Sequence, residues 1–491
     1  MPEADPHRLD VPQGHYIGGR LVRSAAGTLD VLRPSDGRRY AALDAADAAV
    51  VDEAVRNAHR AWRESAWATG APRDRARVLY RWAELIEADP RALGTMEGIG
   101  STRPVRDAIA WDVPFTAEAI RFFAEYADKI GGDVAATRSD HLGMVVAQPY
   151  GVVGAIAPWN FPLSMVSWKA GPALAAGNAV VLKPSEITPF TAVRLAQLAV
   201  EAGMPPGIFN VVQGDGRTAG AALCAHPLVG KITFTGSTAT GAQIMSACAQ
   251  NGPKPVTLEL GGKSPQVVFD DIPDIGRTAG IVARAITTNA GQVCVAGSRL
   301  IAHRQIADEL AQRIAEQFTQ LKPGPTWDDG ATLAPIASRV QLARIEGIVQ
   351  RARDAGARVL CGGKAWGDSG HYYLPTLLAN VDSANPAVAE EIFGPVLTLQ
   401  IFDDEEEAFA LASHESYGLA AGVHTSNASR AMRAMRRIDA GTIWINRYGR
   451  TSDFVLPTGG WGSSGVGKDL GRQAVEANLR FKTVLMDFSA A

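Results

Sequence analysis

Cys294 lies in the segment NAGQVCVAGSR, between a helical pattern and a strand pattern. Loops at element ends are where catalytic groups concentrate, and an ionised thiol there can attack a carbonyl carbon. The other three cysteines offer less. Cys224 and Cys248 fall inside helical patterns among alanines, and Cys361, in VLCGG, reads as a turn residue with no acid or base nearby in sequence. Glu259 lies in VTLELGGKSP, an apolar strand running into a Gly-Gly turn. A carboxylate in such a run needs a partner or a raised pKa; it is a candidate general base, with a structural salt bridge as the other reading. Asn160, in APWNFP, sits in a loop stiffened by two prolines. Its amide suits half of an oxyanion hole or an Asx-turn.

Two segments suit a phosphorylated ligand. FTGSTATG, residues 234–241, combines a strand end, a glycine turn and a helix start, where backbone N–H groups and the helix dipole favour anions. It matches neither GxGxxG nor a P-loop. VVLKPSE, residues 180–186, places Lys183 and Glu186 just beyond the carboxyl end of a strand, where open α/β sheets bind ligands.

The elements that must position these groups read as alternating strands and helices. Residues 152–156, 179–182, 209–212 and 231–234 are short apolar runs. Between them lie a helix with Thr188 as N-cap, Pro189 at its first position and Gly203 past its end, then another over 218–225. A further helix follows Ser237 to about Gln250. This predicts βαβ crossovers and an open parallel sheet. A second alternating region spans about 260–440, with strands at 267–269, 299–302 and 442–445. Its helices run over about 274–289 and along Ile306, Leu310, Ile314, Phe318 and Leu321. A stripe of Ala431, Ala434, Met435 and Ile438 predicts one more. The first 130 residues read mostly as surface helices, with Val78, Trp82, Leu85 and Ile86 on one apolar face. The acidic run 403–407 suits a helix start rather than a metal. The segment 481–488 reads as a terminal strand that must pair with something.

Composition bounds the function classes. The 491 residues carry 48 Lys+Arg against 51 Asp+Glu, a net charge of −3, so nothing marks a nucleic-acid-binding surface. Apolar residues make up 46% and charged residues 20%, an ordinary globular mix. Four cysteines without CxxC give neither a disulfide framework nor a zinc site, which predicts reduced thiols and a cytoplasmic setting. The first residues have no apolar core of a signal peptide. From 144 to 182 the only charge is Lys169, but prolines and glycines cut that stretch into pieces shorter than the ~20 residues of a membrane span.

Taken together, the segments resemble the aldehyde dehydrogenase superfamily, from about Tyr16 to Val484. The motifs fall in family order: APWNFP, VLKPSE, FTGSTATG, LELGGKSP, GQVC, EEIFGPV (390–396), YGLAAGV (417–423), GTIWIN (441–446) and PTGGWGSSGVGKDLG (457–471). The resemblance implies Cys294 as nucleophile, Glu259 as general base and Asn160 as oxyanion donor, with Lys169 among the catalytic groups. It implies NAD, with NADP possible, held by Trp159, Lys183, Ser185, Glu186, Gly216, Phe234, Gly236, Ser237, Leu260, Glu391 and Phe393. Of these, Lys183 and Glu186 match adenosine-ribose positions, Ser237 a pyrophosphate contact, and Glu391 and Phe393 the nicotinamide side. Gly262 and Asn446 match further surroundings. Met165, Trp168, Val293, Val295, Arg447 and Thr451 match the substrate lining, and no metal is implied.

The fold implied is α/β in three parts. These are a doubly wound, Rossmann-like cofactor domain (1–130 and 150–260), an α/β catalytic domain (261–470), and a small β oligomerisation element (131–149 and 471–491). The partners implied are a small aldehyde and a second copy of the chain, as homodimer or homotetramer, with neither nucleic acid nor membrane. This sequence departs from the family at Thr458 and Gly462, where many members carry Phe and Lys. After Asn446 come Arg447, Tyr448, Arg450 and Asp453, where relatives line the substrate tunnel. The arginines favour an anionic aldehyde and the aspartate a cationic one. Two alternatives remain open on the same scaffold: acyl transfer to coenzyme A, against which Glu259 speaks, and a non-catalytic binding protein.

Overall fold

The computed structural model describes Pro6 and residues 9–489. Apolar runs without polar alternation must be covered on both faces, and that is where the chain puts them. Val152–Ile156 and Ala179–Lys183 are buried at every position. They belong to an eight-stranded sheet in the order Arg20–Val22, His15–Ile17, Phe209–Val211, Ala179–Lys183, Val152–Ile156, Val229–Thr235, Val256–Glu259, Gly465–Val466. From Phe209–Val211 to Val256–Glu259 neighbouring strands are parallel. The winding reverses between Val152–Ile156 and Val229–Thr235. The carboxyl ends of that pair carry the Asn160 loop and the Gly236–Ser237 turn, at the switch point where doubly wound sheets open a ligand crevice.

Residues 260–264 cross to a second sheet of seven strands: Arg358–Cys361, Thr376–Ala379, Val396–Phe402, Arg299–His303, Pro265–Val268, Ala420–His424 and Thr442–Ile445. All its neighbours run parallel except the edge strand Arg358–Cys361. Cys361 therefore ends a strand opposite Leu377 instead of standing in a turn; Gly362 and Gly363, at φ 71° and 75°, make the turn. Gly465–Val466 returns from late in the chain to the edge of the first sheet, opposite Leu258 and Glu259. A third sheet holds Asp133–Ala135, His141–Pro149 and the terminal strand Leu479–Asp487. The last two pair antiparallel along their whole length, so the terminal strand has its expected partner.

Several local expectations are corrected. The N-terminal region is not only helical: His15–Ile17 extends the first sheet through Tyr16 opposite Val211, and Thr28–Leu32 pairs with Arg39–Asp44. The helix expected to be capped by Thr188 spans Phe190–Glu201, one residue later, with Pro189 at the flanking position and the Thr188 hydroxyl buried without a partner. Ser237 does cap its helix, Thr238–Gln250, accepting from the Thr240 N–H at 3.2 Å. Met435 is about half exposed, although Ala434 and Ile438 are buried. Its helix, Ala428–Arg437, is dominated by arginines paired with Glu405 and Glu406, so the apolar face is narrower than the stripe suggested. The acidic run opens the helix Glu405–Ala412, capped by Asp404. Among the described residues no helix is long and apolar enough to cross a membrane.

Candidate active site

A cavity of about 650 Å³ lies between the two large sheets. Asn160, Glu259 and Cys294 all line it, although they come from three distant parts of the chain. Met165, Trp168, Val293, Val295 and Arg447 line it too. Thr451 does not; its hydroxyl bonds Asp453.

The loop bearing the thiol is strained and held. After the helix Ile275–Thr287 the backbone enters the left-handed region at Asn289, Ala290 and Gly291, with φ of 49°, 51° and 72°. Such a conformation costs roughly 1–3 kcal/mol at a non-glycine residue and persists only where its surroundings impose it. Here they do. Thr102 donates to Asn289 Oδ1 at 2.7 Å, and Asn289 Nδ2 donates to the Asn160 carbonyl at 3.0 Å. Gln292 Nε2 donates to the carbonyls of Asn289 and Pro335, both at 2.9 Å, while its Oε1 accepts from the Ala337 N–H at 2.8 Å. At Gly291 a Cβ would lie 2.1 Å from the Gly394 carbonyl oxygen, so only glycine fits.

Asn160 is locked into the same network. Its Nδ2 donates to the Gln292 carbonyl at 3.0 Å, which fixes the amide plane while a second N–H remains on that nitrogen. The loop is anchored by a residue the sequence reading missed, Glu97. Its buried carboxyl accepts from the Leu163 N–H and from the Thr191 hydroxyl, each at 2.9 Å. Burial, helped by Asp112, pushes its pKa up to about 8. Leu163 opens the helix Pro162–Ala175, which carries Ser164, Met165 and Trp168 to the cavity. Glu97→Ala should cost about 1–3 kcal/mol of stability by leaving both donors unpaired, and Glu97→Gln clearly less. Denaturant titration of both variants measures this, and equal losses would contradict the anchoring role.

Burial raises the Cys294 thiol pKa; nearby Glu259 and Glu391 push the same way, and Arg450 opposes them by charge and as a hydrogen-bond partner. Burial also pushes Glu259 up to about 8, with Asp469 adding to the rise and Lys169, Arg450 and Lys468 opposing it. Glu259 Oε1 is buried and has no hydrogen-bond partner among the described residues. Lys169 does not reach the cavity. Its Nζ donates to Asp469 Oδ2 at 2.6 Å and to the Phe234 carbonyl at 3.2 Å, so it acts on Glu259 only through charge.

Residues expected to hold a dinucleotide lie at or just past the carboxyl ends of the first sheet's parallel strands, except Glu391 and Phe393, which come from the second sheet's part of the chain. Phe234, Gly236 and Ser237 form the strand end, turn and exposed helix start, and the Gly236 N–H bonds the Glu259 carbonyl at 3.0 Å. A Cβ at Gly236 would meet the Phe234 ring at 2.4 Å, and one at Gly241 would meet Leu260 at 2.5 Å, so strand and helix close tightly. Beside Gly216 there is open space. Lys183 Nζ donates to the Gly214 and Pro184 carbonyls at 2.7 and 2.9 Å and lies 3.4 Å from Glu186. Ser185 is turned inward, its hydroxyl accepting from the Ile187 N–H. Glu391 Oε1 accepts from the Gly262 N–H at 2.9 Å. A Cβ on Gly262 would lie 2.6 Å from the Cys294 carbonyl oxygen, so this glycine lets the two loops meet. Phe393, at φ 56°, sets its ring edge-on to Trp159 at 5.4 Å. Asn446 lines the cavity with its amide tied at both ends to Thr425. The helix face of Arg277, Ile281, Arg284 and Thr288 forms a wall that the sequence reading did not single out.

Fold and cavity together define a class: an α/β enzyme built on two sheets with parallel cores and antiparallel edge strands, with one cysteine lining the cavity. Within that class, the chain belongs to the aldehyde dehydrogenase family, whose model matches residues 21–484. Among solved structures it is similar to a P. syringae indole-3-acetaldehyde dehydrogenase in complex with NAD+ and IAA, at 40% identity over 98% of each chain and a TM-score of 0.96. It is also similar to a gamma-glutamyl-gamma-aminobutyraldehyde dehydrogenase from Burkholderia cenocepacia, at 42% identity over 98% of each chain and a TM-score of 0.95. An aldehyde dehydrogenase from Pseudomonas aeruginosa matches at 40% identity over 98% of this chain and 97% of that one, with a TM-score of 0.95.

Proposed function

We propose that the protein oxidises an aldehyde to a carboxylic acid with NAD, through a thioester on Cys294. The observation that carries this reading is the convergence of Cys294, Asn160 and Glu259 on one cavity. The Cys294 thiolate adds to the aldehyde carbon, and the resulting alkoxide is held by the Asn160 amide and the Cys294 backbone N–H. NAD, when bound, supplies the hydride acceptor that turns this adduct into a thioester. Glu259, ionised, then takes a proton from water as the water attacks the thioester, and acid and thiol are released. Water rather than coenzyme A is the acceptor because this carboxyl is present and unbonded.

The chain's own features fit the cofactor. The exposed helix start at Ser237 can take the pyrophosphate, the space beside Gly216 leaves room for the adenosine end, and Glu391 lies against Gly262 on the thiol's side. We assign the first sheet's domain to the cofactor and the second's to the thiol. Production of NADH from an aldehyde, abolished by a thiol-blocking reagent, tests the reading; NADH formation that survives complete blocking of Cys294 would overturn it.

NAD is expected to be preferred over NADP. Glu186 is the acid for the adenosine ribose, and a 2′-phosphate ~4 Å from it would cost about 1–4 kcal/mol at effective dielectrics of 80 to 20. That corresponds to roughly ten-fold or more in kcat/KM; equal or better values with NADP would remove Glu186 from this role.

We also expect a symmetric oligomer, at least a dimer, in a reducing compartment such as the cytoplasm, where the thiol stays active. Leu479–Asp487 ends its sheet with one edge unpaired and with Phe481, Leu485 and Met486 exposed. Light scattering at micromolar concentration should give at least twice the 51.9 kDa chain mass. A monomer would count against it.

A further inference from the structure

Charge in the cavity is one-sided. Arg103, Arg277, Arg284, Arg447 and Arg450 line it, against two carboxyl groups, Asp112 and Glu259. Asp112 is already committed: it takes Arg103 in a two-point ion pair at 2.8 and 3.2 Å, with both partners buried. Arg277 and Arg284 share one face of the helix Ile275–Thr287, and among the described residues no carboxylate pairs with either.

Arg450 is the inner member of the set. Its guanidinium lies 5.2 Å from the centre of the Trp168 ring, donates to the Thr458 hydroxyl and faces the Cys294 thiol. Thr458, whose hydroxyl holds Arg450, is one of the departures from the family pattern, standing where many members carry Phe. A guanidinium carries five N–H donors, and these contacts use only part of them. The wall beside it is apolar and aromatic, with Trp111, Phe115 and Trp168. Among the described residues no carboxylate lies within ion-pair distance of Arg450, although Glu259 is near enough to feel its charge. This half-buried cation beside the reacting thiol therefore has donors to offer an anion that arrives with the substrate.

We propose that the aldehydes oxidised here carry a carboxylate a short chain away from the aldehyde carbon, that Arg450 receives it, and that Arg277, Arg284 and Arg447 draw such anions to the mouth. This rests on the reading of Cys294 as nucleophile. The position of Arg450 against the thiol selects short oxo acids over long ones, since the fork must bond the carboxylate while the aldehyde carbon meets the sulfur. The neighbouring aromatic rings accommodate the methylene spacer.

The test is an initial-rate NADH assay of the full-length protein with 4-oxobutanoate, butanal and 4-aminobutanal, matched in chain length, and with glyceraldehyde 3-phosphate as a phosphorylated anion. The expected order has 4-oxobutanoate above butanal by about ten-fold or more in kcat/KM, and above 4-aminobutanal by a wider margin. Arg450→Leu should bring the ratio of 4-oxobutanoate to butanal close to one, mainly through KM, and Arg450→Lys should restore part of it. The wild-type ratio stands independently of how well either variant folds. Butanal turnover without a carboxylate preference, or a full preference retained in Arg450→Leu, overturns this inference and leaves the Cys294 reading in place. Better turnover of glyceraldehyde 3-phosphate than of 4-oxobutanoate overturns the carboxylate assignment. No NADH from any of these aldehydes overturns both readings.

Discussion

Cys294→Ala should abolish aldehyde oxidation while NAD still binds with near wild-type affinity. No other cysteine lines the cavity, and Cys224 and Cys248 are buried elsewhere in the core. Without the sulfur no thiohemiacetal forms, and the loss should be on the order of 10⁴-fold or more. The substitution removes one sulfur atom from a loop already held by Asn289 and Gln292, so the fold should survive. Steady-state NADH formation measures the loss, and tryptophan fluorescence quenching by NAD measures binding, with Trp159 against Phe393 as a reporter. Turnover above a few per cent of wild type would take the nucleophile assignment away from Cys294.

The second large effect concerns Glu259. Glu259→Gln should lower steady-state turnover on the order of 10²–10⁴-fold, the usual contribution of a general base. In the wild type, burial places this carboxyl near pKa 8, above the ordinary carboxylate range. Below that pH it is protonated and cannot accept a proton from water; above it the carboxylate is available. Where hydrolysis limits turnover, kcat should therefore rise with pH and level off above about 8. Glu259→Gln should lose that limb and respond only to the thiol and to hydroxide. A wild-type kcat already flat from pH 6 upward would mean that Glu259 is ionised throughout, or is not the base. A pH series of kcat on both proteins separates these outcomes.

What could be read in the sequence and what could not follows a physical line. The central strands were legible because residues buried on both faces, as in Val152–Ile156, leave uninterrupted apolar runs. Helix starts were legible where a side chain caps its own backbone, as Ser237 and Asp404 do. Thr188 failed because its hydroxyl caps no backbone N–H and the helix begins one residue later, at Phe190. The strand His15–Ile17 was missed because its reason lies in a partner almost 200 residues away, where Tyr16 faces Val211. The same distance effect governs the site. Cys294, Glu259 and Asn160 could be named from local chemistry and motif order, but the network that holds them could not. Lys169 was placed among the catalytic groups, yet its ammonium is tied to Asp469, 300 residues along the chain. Glu97 gave no local signal because its partners, Leu163 and Thr191, lie far along the chain. Arg450 was visible as a charge near the family's substrate tunnel. Only the fold showed that Thr458 and Trp168 hold it beside the thiol.

The central claim is a covalent acyl intermediate on Cys294 that Glu259 releases, and it can be weighed directly. Glu259→Gln is mixed with excess aldehyde and NAD, quenched with acid on the millisecond-to-second timescale, digested and measured by mass spectrometry. The account predicts a burst approaching one NADH per active site, and an acyl mass increment on the peptide containing Cys294 that builds up in step with that burst. Should Glu259 also assist ionisation of the thiol, the burst slows at neutral pH and recovers as pH passes the ordinary thiol pKa of about 8.5. A peptide that stays unmodified at high pH while NADH is formed, or an acyl group found on any residue other than Cys294, would contradict the account.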